Sequence, residues 1–180
     1  KLLLQKRASE KITFPDMWTN TCCSHPLAIQ SELHGSEGAK NAAQRKLEHE
    51  LGISASQVPT DAFQFLTRIH YLAPSDGLWG EHEVRGNNTN NIDYILFVTA
   101  TVDVHVNQNE VGDTRWVSIE ELKSLMNELD PQAFTPWFKL IVNAFLFPWW
   151  QELMECKNPS TGCLDAKLLA HREDDKIHRL

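Results

Sequence analysis

An α+β fold in one domain is what the pattern of this 180-residue sequence predicts. Three observations carry that expectation. One long segment, residues 37–51, has helical spacing; four short apolar runs have the length and content of strands; and the chain is 42% hydrophobic and 23% charged. That balance at that length gives one sizeable core rather than two.

Leu2 to Gln5 reads as the first strand, and Ala8 to Phe14 as a loop carrying Lys11. Glu37 to Leu51 reads as a helix, because Ala39, Ala42, Ala43, Leu47 and Leu51 recur at helical spacing and Gly52 follows as a stop. Phe65 to Leu72, Ile92 to Val98 and Thr114 to Val117 read as strands from their β-branched and aromatic residues. Ser118 with Glu121 three residues on has the form of a capping box, opening a helix to about Leu129. Trp137 to Met154 is the one long apolar stretch, but Lys139, Asn143, Pro148, Gln151 and Glu152 interrupt it. A membrane-spanning helix needs about 20 predominantly apolar residues, so a buried C-terminal helix is expected, kinked or ended in its first half by Pro148. Residues 157–180 lack periodicity and read as a tail beyond the domain of residues 1–156.

A net charge of −7 and a pI near 5.6 argue against nucleic acid or an anionic membrane as the main partner. Four cysteines, two of them the neighbours Cys22 and Cys23, do not form the framework of a small secreted fold and point to a reducing compartment. The chain opens directly on a strand without an initiator Met, so it is expected to begin inside a longer protein.

Two cassettes carry chemistry: Thr19-Asn20-Thr21-Cys22-Cys23-Ser24-His25-Pro26 and Trp79-Gly80-Glu81-His82-Glu83. If each is extended, alternation puts Cys23 and His25 on one face, and Glu81 and Glu83 on one face. A thiol, an imidazole and two carboxylates can hold a divalent metal or move protons. The plainer reading is a small buried thiol and a solvated pair of edge carboxylates. The same alternation turns Cys22 away from Cys23, towards core. Arg7, Lys11, Arg45 and Lys46 are exposed cations on the plain reading, and a positive field for a diphosphate on the other.

Arg45-Lys46-Leu47-Glu48-His49-Glu50-Leu51-Gly52-Ile53 resembles the helical half of the Nudix signature, Arg-Glu-apolar-x-Glu-Glu-x-Gly-apolar, with Lys46 and His49 at two of its acidic positions. Those replacements weaken the case for hydrolysis. With the two cassettes, Arg68-Ile69-His70-Tyr71 and Thr135-Pro136-Trp137-Phe138, the chain resembles the eukaryotic type I isopentenyl-diphosphate isomerases over about residues 1–155. The resemblance implies a Nudix-like α/β/α sandwich with a mixed sheet. It also implies interconversion of isopentenyl and dimethylallyl diphosphate, in isoprenoid and sterol biosynthesis, by protonating the alkene and deprotonating C2.

By the same resemblance Cys23, Glu83 and Tyr71 are catalytic, Arg7, Lys11, Lys46 and Trp137 meet the substrate, and His25, Glu81 and Glu83 hold a tightly bound Zn2+ or Mn2+. Glu50 would hold Mg2+ beside the diphosphate. The implied protein is a cytoplasmic monomer whose partner is a small isoprenoid diphosphate, with neither nucleic acid nor membrane bound. The alternatives are a Nudix diphosphohydrolase and a non-catalytic metal- or diphosphate-binding remnant.

Three departures qualify the match. Family members carry two further metal-binding histidines upstream of the first strand here, so an N-terminally truncated chain with weak metal retention and low activity is expected. Val84 to Asn91 interrupts a passage that usually runs straight from the acidic cassette into Ile92-Asp93-Tyr94. The ending His178-Arg179-Leu180 is similar to a peroxisomal address.

Overall fold

A computed structural model describes residues 1–71, 92–155 and 177–179. Its strands form two three-stranded sheets. In the first, β1 (Leu2–Arg7) lies between β2 (Trp18–Thr19) and β5 (Val111–Val117), antiparallel to both. In the second, β3 (Gln64–His70) pairs antiparallel with β4 (Ile92–Phe97) and parallel with β6 (Ile177–Arg179). The helices are α1 (Gly35–Leu51), α2 (Ile119–Glu128), α3 (Pro136–Ile141) and α4 (Phe147–Glu155).

Strand alternation makes the sheets the middle layer of a sandwich. Leu4 of β1 joins a core with Leu66, Ile69, Ile95, Val117 and the apolar faces of α2, α3 and α4, while its neighbour Leu3 joins a second core with Leu47 and Leu51 of α1. The adjacent β4 residues Ile95 and Leu96 divide in the same way. Burial on both faces explains why Leu2-Leu3-Leu4 of β1 reads as an unbroken apolar run.

α1 begins two residues before the expected start and ends where expected, with Gly52 in the left-handed conformation at φ 65°. A Cβ on Gly52 would lie 2.5 Å from the His105 carbonyl oxygen, so the position excludes side chains on space as well as on backbone angle. The amides of His105 and Asn107 bond the carbonyls of Leu51 and Glu50 at 2.7 and 2.9 Å, which ties the helix end to the incoming β5 segment. The capping box at Ser118 and Glu121 forms as expected and starts α2.

The C-terminal helical run changes pitch on the way: a π-helical stretch, Val142–Leu146, joins α3 to α4, and Pro148 follows directly after it. The helix therefore runs on past Pro148 to Glu155 rather than ending there. The tail also departs from expectation: Ile177, His178 and Arg179 pair with Arg68, Ile69 and His70 of β3, and the His178 ring meets Phe145 at 5.2 Å. Three residues are too few to show a period, and the edge offered by β3 decides their conformation. Among the described residues, no helix is long and apolar enough to cross a membrane.

One ion pair fixes the loop that precedes α1. Arg45 grips Glu32 with two bonds, Nε to Oε1 at 2.6 Å and Nη2 to Oε2 at 2.9 Å, and Glu32 also accepts the Leu27 N–H at 2.8 Å. Arg45 Nη2 reaches the His25 carbonyl at 3.2 Å. Gly38 admits the loop, since a Cβ there would lie 2.5 Å from the Glu32 carbonyl oxygen. Arg45 is thus a structural clamp rather than part of a loose positive field. Its guanidinium, and after it the Leu27 amide, holds the Glu32 carboxyl down to about 2.

Two outcomes are expected. Leu51 is fully buried in the second core, so Leu51→Ala should cost about 2–5 kcal/mol in denaturant unfolding. Glu32 has a folded pKa below its unfolded one, about 4.3, so its contribution is complete above the unfolded value and is lost as pH falls from there through about 2. Thermal unfolding of wild type and Glu32→Gln should therefore show a gap at pH 7 that closes towards pH 2; a gap unchanged across that range would refute the clamp.

Candidate active site

The first cassette leaves β2 at Thr19, and residues 20–27 run on outside any ladder, so the expected extended strand is only two paired residues long. The alternation survives without the ladder. Cys23 packs against the core that contains Phe14, Trp137 and Tyr71, whereas Cys22 packs against the core of Leu3, Leu47 and Leu51. Both are thiols rather than disulfide partners. Burial, reinforced by the Glu50 carboxylate and by Cys23, pushes the Cys22 thiol well above its ordinary pKa. A thiol so raised is a poor base at neutral pH.

On the Cys22 side lies a charged group. Glu50, almost fully buried on the last turn of α1, pairs with Lys46 Nζ at 2.9 Å and accepts the Gln5 side-chain amide at 3.2 Å. Glu110, just before β5, pairs with Lys11 at 2.6 Å and stands 3.8 Å from Lys46. Burial alone would raise the Glu110 pKa, but hydrogen bonding and charge from Lys11, with Lys46 and His49 adding to it, hold the carboxyl below its usual range. The structure thus brings together Lys11, Lys46 and Glu50 of the expected site residues.

Arg7 is not with them. Its Nε bonds the carbonyls of Thr13 and Phe14 at 3.1 and 3.0 Å, and its Nη2 bonds the Thr13 carbonyl at 2.7 Å. Its guanidinium carbon also sits 5.8 Å from the centre of the Trp137 ring. The positive φ of Phe14, 50°, and Asp16, 58°, bends the loop so that its carbonyls converge on this cation. Loop geometry rather than charge count decides Arg7's partners.

Trp137, 5% exposed, lies in the first turn of α3 with Phe14 edge-to-face at 5.1 Å. Its indole N–H points to Thr19 Oγ1 at 3.0 Å and Asn20 Oδ1 at 3.2 Å. Tyr71, following β3, borders the same core. His25 is exposed on the clamped loop. Glu81 and Glu83, with the rest of their cassette and the 84–91 stretch, lie outside the described residues.

Among the described residues, no three His, Cys, Asp or Glu side chains come together as a metal-holding group. Single donors do fit one. Glu50 offers a buried carboxylate, and the neighbouring Gln5 side-chain oxygen is buried without a hydrogen-bond partner; hard oxygen donors of this kind suit Mg2+. Sequence reasoning passed over Gln5, Glu32 and Glu110, because nothing in their spacing marks the partners that tertiary packing brings to them. Asn20 stood inside a cassette with no role assigned.

The chain matches the NUDIX domain over residues 1–138. It is 54% identical to an isopentenyl-diphosphate delta-isomerase of Phaffia rhodozyma over 99% of this chain and 68% of that protein. Relatives bearing the same enzyme name in Gibberella zeae and Schizosaccharomyces pombe are 61% and 58% identical, each over 85% of this chain and over 59% and 65% of their own lengths. The chain therefore spans between 59% and 68% of the length of these relatives. Matched along most of its length by a domain family and by relatives at this identity, the chain belongs to the Nudix superfamily and, within it, to the eukaryotic type I isopentenyl-diphosphate isomerases.

Proposed function

We propose that this chain interconverts isopentenyl and dimethylallyl diphosphate, with Cys23 as the base-side thiol. The observation that carries the reading is the division of the twin cysteines: Cys23 faces the core shared by Trp137 and Tyr71, and Cys22 faces the other way. One thiol accordingly shares an apolar, aromatic environment with the groups expected around an isoprenoid chain. A diphosphohydrolase is less favoured, because Lys46 and His49 replace two carboxylates of the signature, and the structure uses Lys46 to neutralise Glu50.

The reaction moves a double bond, so one proton must reach the terminal alkene carbon and another must leave C2 on the opposite face. An alkene is a weak base, which requires an acid on one side and stabilisation of a tertiary carbocation. Glu83 with Tyr71 would supply the acid. The face of Trp137 not engaged by Arg7 would meet the cation, for about 2 kcal/mol when dry, or about thirtyfold in rate. Positioning and fixed charge must supply most of the remainder. Deprotonation next to a carbocation needs only a weak base, so the thiol group of Cys23 suffices, and no covalent intermediate is needed.

The diphosphate would lie towards Lys11 and Lys46. Both already face carboxylates, so the substrate would compete with Glu110 for them. Glu50, with Gln5 beside it, would hold Mg2+, and His25 with Glu81 and Glu83 would hold a second divalent metal, Zn2+ or Mn2+. Bound Mg2+ would neutralise diphosphate oxygens as they leave water. A small-molecule partner, a monomeric state and a cytoplasmic location complete the reading.

The test is incubation of the full-length protein with isopentenyl diphosphate and Mg2+, following dimethylallyl diphosphate. Product formation is expected; phosphate release without it would favour a hydrolase, and tight binding without turnover a remnant. Cys23→Ala should abolish isomerisation with the unfolding midpoint unchanged, while Cys22→Ala should leave turnover within a few-fold and lower stability by about 1 kcal/mol for its lost packing. An active Cys23→Ala protein would refute the assignment.

A further inference from the structure

Between Trp137 and the cysteine pair runs a chain of hydrogen bonds whose proton directions can be worked out. Trp137 Nε1 can only donate, and it points at Thr19 Oγ1 and Asn20 Oδ1, 3.0 and 3.2 Å away. Thr19 Oγ1 is 2.9 Å from Asn20 Oδ1 and 2.8 Å from Thr135 Oγ1. Asn20 Nδ2 is 2.5 Å from the Cys22 carbonyl oxygen.

The Asn20 amide can adopt one orientation only. Turned over, it would set its oxygen against the Cys22 carbonyl and its N–H groups against the indole N–H, facing acceptor with acceptor and donor with donor. With Oδ1 an acceptor, the single Thr19 proton goes to Asn20. Thr135 must then donate to Thr19, whose two lone pairs are filled by Thr135 and Trp137. Thr19 and Thr135 are fully buried, so water offers no alternative and each missing bond would carry a desolvation penalty. A parallel bridge of Trp18 with Phe134 and a Thr135 N–H to Trp18 carbonyl bond of 3.0 Å hold the backbones of the two segments together beneath this network.

The Cys22 carbonyl belongs to the peptide plane that also carries the Cys23 N–H. Fixing that plane places the Cys23 nitrogen and Cα, so that only rotation about φ and χ1 of Cys23 is left to direct its thiol. We propose that Asn20 is a positioning residue that locks the Cys23 thiol to the Trp137 indole, so that both meet one substrate in a single geometry. This rests on the reading of Cys23 and Trp137 given above. It adds that their relative placement is set by one side chain that touches neither the diphosphate nor the reacting carbons.

Asn20→Asp tests it in the full-length protein. The variant is isosteric and keeps an acceptor for Trp137 and Thr19, but it sets an oxygen against the Cys22 carbonyl. With isopentenyl diphosphate and Mg2+, kcat should fall at least tenfold while KM stays within about twofold, because misplacement of reacting groups by a fraction of an ångström acts on the transition state. In the absence of substrate, the rate of Cys23 alkylation by iodoacetamide, read on the tryptic peptide by fragmentation that separates it from Cys22, should change at least threefold. A merely structural asparagine would leave both at wild-type values in the folded fraction.

If Asn20→Asp does not fold, Asn20→Ala removes the bond without repulsion and is read in the same way. An unchanged kcat, an equal rise in KM, or an unchanged alkylation rate would overturn the proposal. If the wild type itself forms no dimethylallyl diphosphate, the functional reading has failed, and the alkylation comparison alone then decides whether Asn20 sets the thiol.

Discussion

Everything in this fold follows from β1 being buried on both faces. Leu3 and Leu4 are neighbours in sequence and are 4% and 0% exposed, yet they belong to different cores. A strand covered on both sides needs a helical layer on each. α1 supplies one, and the α2 to α4 segments supply the other. The loop that leaves β2 then crosses the margin between the two cores, and successive residues on it are drawn to opposite sides.

That margin gives the site its two chemical halves. Towards α1 lie Glu50, Lys46, Lys11 and Glu110, a compact set of mutually neutralised charges. Towards α3 lie Cys23, Tyr71, Phe14 and Trp137, an environment of aromatic rings. The proposed substrate, a diphosphate ester of a short hydrocarbon, has the same division, with a charged end that needs cations and an apolar end whose transient positive charge needs a polarisable wall. The twin cysteines mark the boundary. The one on the charged side has its thiol pKa raised by burial and by Glu50, and the one on the aromatic side is proposed as the base.

The clamps around this margin are polar and partly or fully buried. Arg45 with Glu32 holds the loop bearing His25 against α1, and the Thr19, Asn20 and Thr135 network ties the cysteine loop to α3. The first joins residues 13 apart and the second residues 116 apart, and in the second the buried hydroxyls and indole N–H are all paired, the condition under which a burial of polar groups specifies one arrangement rather than several. Arg7 serves a similar purpose for the loop at residues 8–17, giving its donors to backbone carbonyls.

The sequence by itself determined the periodic elements and the division of the cysteines. The spacing of Ala42, Leu47 and Leu51, the Gly52 stop and the Ser118–Glu121 box depend only on neighbours within a few residues, and so does the alternation that separates Cys22 from Cys23. The family motifs were likewise legible as they stand. Tertiary structure alone decided the partners of the long polar side chains. Arg7, Lys11, Arg45 and Lys46 look alike as cations in a sequence, yet one bonds a loop, one clamps Glu32 and two share Glu110. The same holds for the π-helical stretch before Pro148 and for the pairing of residues 177–179 with β3. Those outcomes turn on which groups packing brings within about 3 Å of one another, and a one-dimensional pattern carries no such distance.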